Sequence, residues 1–134
     1  MQEVFEFLKK LEVNYVATVT EEGLPSCRPF GDPVWFDGKI YLLTKAHKAV
    51  ARQLAGNDHV CIVAYDGREW LRIHCRALDD SENIAAKEAI IREFDWAEEA
   101  GYTIDNPDFK CYYLAEAHAE VRDSDGQVLA EYDF

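Results

Sequence analysis

Thr44, His47 and Lys48 stand four residues or fewer apart where an apolar strand pattern, KIYLLT, gives way to helical spacing in AVARQLAG. A helix start offers unpaired backbone N–H groups and a positive dipole end, so a hydroxyl, an imidazole and an ammonium grouped there suit an anion. Phosphate is the natural guest. The surrounding charge pattern agrees: the chain carries 26 acidic against 14 basic residues, yet no Asp or Glu occurs from Gly38 to Asn57, where Lys39, Lys45, Lys48 and Arg52 lie. Arg28, in the strand expected to pair through an Asp37-Gly38 hairpin, can reach the same end of the sheet and add a bidentate contact. The alternative is a solvated helix face that lacks acids by accident.

A second constellation is EWLRIHCRA. In a strand, Leu71, Ile73, Cys75 and Ala77 point one way, and Trp70, Arg72, His74 and Arg76 the other. The first set is core; the second suits an anionic planar ligand, a partner subunit or an ordinary polar exterior. No GxSxG, GxxxxGK[ST], GxGxxG or HExxH motif occurs. The acid pairs Asp79-Asp80 and Glu98-Glu99 read as caps and solvated charge, and His118 as a strand position. Cys27, Cys61, Cys75 and Cys111 follow no metal-ligand spacing, so reduced thiols and no metal are expected.

These residues must be held by a framework the pattern also describes. Val4, Phe7, Leu8 and Leu11 mark an amphipathic first helix. NYVATVT and LPSCRPFGDPVWF read as strands, the second interrupted by Gly31 and Pro33 at a bulge or an edge. HVCIVAYD and EWLRIHCRALD form a hairpin around Asp66-Gly67, and the tail forms two strands around Asp125-Gly126. DDSENIAAKEAIIREFDWAEEAG reads as one capped helix with Ile90, Phe94 and Ala97 along a face. Six or seven short antiparallel strands with helical additions point to an antiparallel barrel, in one mainly β, α+β domain over residues 1–134. Net charge −12 disfavours nucleic acid and anionic membranes, and no apolar run is long enough to span a bilayer. A cytoplasmic protein is expected.

The order of NYVATVTEEGLPSCRPFG, VWFDGKIYLLT, TKAHKAVARQLAGNDHV and WLRIHCRA resembles the pyridoxamine 5′-phosphate oxidase-like, flavin-binding split-barrel family over nearly the whole chain. RPFG, the T-x-x-x-K helix start, RQL…N…V and W-x-R in that order carry the resemblance. It implies a six-stranded antiparallel split β-barrel of Greek-key form with flanking helices, and a homodimer with FMN at each end of the subunit interface. Arg28 and Lys48 would hold the FMN phosphate, with Thr44 as hydroxyl donor and His47 where many relatives have Ser or Thr. Pro29, Phe30 and Leu43 would border the isoalloxazine ring, and Gln53 the ring or the ribityl chain. Trp70 and Arg72 would come from the other subunit or shape the substrate side; the aromatic tail, Tyr112, Tyr113, Tyr132 and Phe134, is further interface material. The implied function is FMN-dependent oxidation or reduction of a small molecule. That molecule is expected not to be pyridoxamine phosphate, since an arginine-bearing C-terminal segment has no counterpart. A flavin- or ligand-binding module without turnover, acting as carrier or sensor, and a pocket for deazaflavin or haem are the rival readings.

Overall fold

The computed structural model describes residues 1–134 and contains three helices and eight strands. Helix α1 (Gln2–Lys9) buries Val4, Phe7 and Leu8, the i, i+3, i+4 stripe of its sequence. Leu11 lies beyond its end and packs at the margin of the core. Strands β1 (Asn14–Val19) and β2 (Pro25–Phe30) pair as a hairpin. Strands β3 (Val34–Phe36) and β4 (Lys39–Lys45) pair through Asp37 and Gly38, both at positive φ, 50° and 69°, as the tight turn between twisted strands requires. Helix α2 (Ala49–Gly56) follows, then the hairpin of β5 (His59–Tyr65) and β6 (Trp70–Asp79), helix α3 (Ile84–Glu93), and the long β7 (Phe109–Arg122) with β8 (Val128–Asp133).

All neighbouring strands are antiparallel, in the order β2-β1-β5-β6-β7-β4-β3, with β8 paired to β7 as well. Strand β7 spans both halves: β6 runs along one side of it, while β4 and then β8 share the other. Midway, Glu116 adopts φ 49° and the β6–β7 register shifts between His74 and Arg76. Such an irregularity bends a strand and increases its twist. The core is gathered on the inner face by β1 and β4 to β7, with α1 and α2 closing it; α3, β3, β4 and β7 enclose a second, smaller cluster.

The mainly antiparallel α+β class is as expected, but the strands number eight rather than six, and the pairing path is open between β2 and β3. One reason lies in LPSCRPFGDPVWF. Asp32 turns into the left-handed region at φ 56° and Pro33 has no amide to donate, so the segment breaks into β2 and β3 at opposite ends of the path. Arg28 therefore sits on β2, beside β1, and not on the strand paired through the Asp37-Gly38 hairpin.

The helix expected to run on to Gly101 stops at Phe94, whose backbone is extended (φ −126°, ψ 123°). Residues beyond it turn instead, burying Ala97 completely and setting Tyr102 edge-on to Phe109, ring centroids 5.1 Å apart. Packing overrides helix propensity there. Tyr112 is core, and Tyr132 and Phe134 pack against the main cluster. Strand β6 alternates as its sequence predicts: Leu71, Ile73, Cys75 and Ala77 are buried, while Trp70, Arg72, His74 and Arg76 are not. No helix is long and apolar enough to cross a membrane.

Candidate functional site

Strand β2, the end of β4 and the start of α2 converge on a cavity of about 210 Å³. Arg28, Pro29 and Phe30 come from β2, Leu43 and Thr44 from β4, Lys48 from the helix cap position, and Gly31 and Asp32 from the break after β2. Thr44 is 3% exposed and lines the cavity. The start of α2 has neither a side-chain cap nor an acid in its first turn, so its first amides are open to a ligand, although Asp108 accepts from the preceding His47 amide. Lys9, Lys10 and Lys110 are paired with carboxylates, whereas Lys48 is exposed and unpaired.

Arg28 is half-buried and held by five contacts. Nη1 donates to Val16 O (3.0 Å), Thr18 Oγ1 (2.7 Å) and Ser26 O (3.3 Å); Nη2 donates to Ser26 Oγ (3.0 Å) and Gln53 Oε1 (2.7 Å). All five acceptors are neutral. Arg72, Arg76 and Arg122 each reach a carboxylate, so Arg28 differs in carrying an uncancelled charge in a partly dry place. Burial lowers its pKa from the ordinary guanidinium value, yet a guanidinium does not lose its proton in proteins. Its cheapest compensation is an anion in the cavity, because moving a charge out of water is unfavourable until it is paired. Thr18 Oγ1 donates to Gln53 Oε1 in the same network.

The volume decides how much of a ligand fits. Sites that enclose a whole small molecule usually measure roughly 300–1,000 Å³, so this cavity takes one end, such as a phosphate with its first carbons, and the remainder extends through the mouth.

The family model described as Pyridoxamine 5'-phosphate oxidase matches residues 1–132. The chain belongs to this family. Among solved structures, a NimC/NimA family protein from Clostridium acetobutylicum is similar at TM-score 0.89 and 24% identity, covering 100% of this chain and 92% of that one. A pyridoxamine 5'-phosphate oxidase-related, FMN-binding protein from Nostoc punctiforme is similar at TM-score 0.66 and 15% identity, covering 99% and 93%. HutZ, the haem storage protein from Vibrio cholerae, is similar at TM-score 0.66 and 21% identity, covering 84% and 87%. No curated protein matches the chain in sequence. At these identities the structural likeness concerns the fold.

Within this pyridoxamine 5'-phosphate oxidase family chain, the residues expected at a phosphate site divide. Arg28, Pro29, Phe30, Leu43, Thr44 and Lys48 line one cavity. Gln53 lies behind Arg28 and orients it. His47 turns away: its amide donates to Asp108 Oδ1 (2.9 Å) and its Nδ1 lies 2.6 Å from Asp108 Oδ2. Burial disfavours the Asp108 carboxylate, but the bonds from His47 prevail and its pKa is lowered. Trp70 and Arg72 stand on the outer face of β6, away from the cavity lining. The Trp70 indole donates to Asp123 O (3.1 Å), and Arg72 lies over its ring and pairs with Glu120 (3.1 Å).

Gly31, Asp32, Val50, Trp96 and Tyr102 also line the cavity and were not expected there. Trp96 falls in the stretch expected to end a helix, and Tyr102 directly follows it. Elsewhere, His118 Nδ1 is 2.7 Å from Asp133 Oδ1, and His118, Glu120 and Glu131 bring donor atoms within 4.8 Å of one another. Glu120 is already engaged by Arg72 and Arg122, which makes this an ion-pair network across β7 and β8.

Proposed function

We propose that the chain binds FMN with its phosphate on Arg28, Thr44 and Lys48 and acts as an oxidoreductase on a small planar molecule other than pyridoxamine phosphate. The observation that carries this reading is the half-buried Arg28, without any carboxylate partner, lining one cavity with the Thr44 side chain and an unpaired lysine. Membership of the family and the FMN-binding relative support it. Bound flavin supplies the electron or hydride transfer. Arg28 and Lys48 neutralise the phosphate, Gln53 and Thr18 keep the guanidinium aimed, and Phe30, Pro29 and Leu43 border the ring.

A homodimer completes the site in this proposal, since a second chain would bring its Trp70 and Arg72 to the open mouth of a cavity too small for a whole flavin. A cytoplasmic location goes with it, and the four free cysteines support a reducing compartment. A second reading, a haem-binding module without turnover, is favoured by a cleft of about 510 Å³ on the outer sheet face, lined by His59, His74, His118 and Arg76. Imidazoles ligate iron and arginine pairs with propionates.

The test is the visible spectrum of protein mixed with FMN and desalted, followed by anaerobic addition of NADH or NADPH. One retained flavin per chain that is reduced supports the enzyme. Retained flavin that neither nucleotide reduces favours a carrier or sensor. Loss of all flavin, together with a Soret band after haemin is added, overturns the FMN reading in favour of the second.

A further inference from the structure

Two of the unexpected residues that line the cavity, Trp96 and Tyr102, are aromatic and sit together. Trp96 stacks on Phe94 (centroids 4.9 Å apart, planes at 20°) and meets Tyr102 edge-on (6.0 Å, 75°). Both line the cavity that holds Arg28, Thr44 and Lys48. Tyr102 is 8% exposed and belongs to the core, whereas Trp96 is 40% exposed. A large indole left this open beside two uncancelled cations is poor packing and good ligand surface. Phe94 stacks on it and Tyr102 meets it edge-on, while the indole still lines the cavity.

The segment that carries Trp96 is braced on both sides of the phosphate site. Lys45 Nζ, one strand residue beyond Thr44, donates to Ala100 O, and its ammonium lies 5.1 Å from the Tyr102 ring centroid. Asn106 Nδ2 donates to Gly101 O (2.7 Å), Tyr102 N to Ala97 O (2.9 Å), and Ala46 N to Asp108 O (2.8 Å). Gly101 makes the turn at φ 91°, with Lys45 Nζ only 3.0 Å from where a Cβ would stand. Bracing of this kind lowers the ordering cost when a ligand is bound.

We propose that Trp96 stacks on the planar ring of the ligand whose phosphate Arg28 and Lys48 hold, so the site selects phosphorylated compounds with an aromatic group next to the sugar or chain. This rests on the FMN reading and adds a residue of this same chain as the ring's platform. Phosphate recognition and ring recognition are then separable in one cavity. Arg28 acts on any phosphate; Trp96 acts only where a ring follows.

Four proteins and two probes test this: wild type, Trp96→Ala, Trp96→Phe and Arg28→Ala, each titrated with FMN and with ribose 5-phosphate. Aromatic–base stacking contributes about 1–3 kcal/mol, so Trp96→Ala should weaken FMN by about fivefold to a hundredfold and leave ribose 5-phosphate unchanged. Arg28→Ala should weaken both. Trp96→Phe, which keeps a ring, should restore most of the FMN affinity and guards against a folding artefact. It should also reduce the quenching of tryptophan emission on FMN addition, since Trp96 is one of three tryptophans. Trp96→Ala that binds FMN as wild type does, while Arg28→Ala does not, overturns the stacking role and leaves the FMN reading standing. Wild type that binds ribose 5-phosphate but gains nothing from a flavin ring overturns both.

Discussion

Arg28 is what its neighbours make it. A lysine at position 28 keeps the charge but cannot span Thr18, Ser26 and Gln53 with one forked group, because an ammonium is a point donor on a flexible stem. Arg28→Lys should fold normally and bind FMN about tenfold more weakly or worse, the loss expected of a charge-assisted bond; calorimetric titration checks it. Thr44→Val is a milder case. Its side chain lines the cavity, so the near-isosteric valine should lower FMN affinity severalfold, read from the same titration beside a melting curve. Thr44 and Lys48 were legible in the sequence because the strand-to-helix junction marks them, whereas Arg28 was expected on the strand of the Asp37-Gly38 hairpin and stands on β2. His47 was not legible, since its partner Asp108 is 61 residues away and pulls it off the cavity. Gln53 serves Arg28 for a comparable reason, a contact that exists only after β1, β2 and α2 have packed.

Among the elements, the strands and the first two helices follow from periodicity and turn residues, while the failures lie where tertiary contact overrules local pattern. Phe94 to Tyr102 has helical composition but turns to bury Ala97 and Tyr102, which removed Trp96 from view. Helix α3 begins where its cap stands: Asn83 accepts from Ala86 N (3.1 Å) and donates to Asp80 Oδ2 (2.9 Å). Asn83→Ala should cost about 1 kcal/mol and lower Tm by about 4 °C, measured by calorimetry.

The β7–β8 pair carries a pH dependence of its own. The hydrogen bond to Asp133 raises the His118 pKa above the usual 6.5. A raised folded value means the imidazolium's stabilising contribution is complete below pH 6.5 and is lost as pH climbs through the folded pKa. The melting difference between wild type and His118→Gln should therefore be largest on the acidic side and shrink as pH rises through neutrality. A difference that grows with pH contradicts the assignment.

For the molecule as a whole, net charge −12 is the background against which a local cationic pocket must work. An anion is repelled at long range and bound only where Arg28, Lys48 and the α2 start concentrate positive charge. The open sheet has an outward face bearing Trp70 and Arg72, which a second chain would cover in the proposed dimer. Light scattering should then report twice the 15.4 kDa chain mass; the mass of a single chain at micromolar concentration contradicts a shared site. The most direct test of the central claim is the affinity for FMN of the Arg28→Ala, Lys48→Ala double variant against wild type. Removing both cations should weaken binding by about a hundredfold or more, with circular dichroism unchanged. A folded double variant that binds FMN as tightly as wild type would mean that the phosphate is held elsewhere and that this cavity is not the cofactor site.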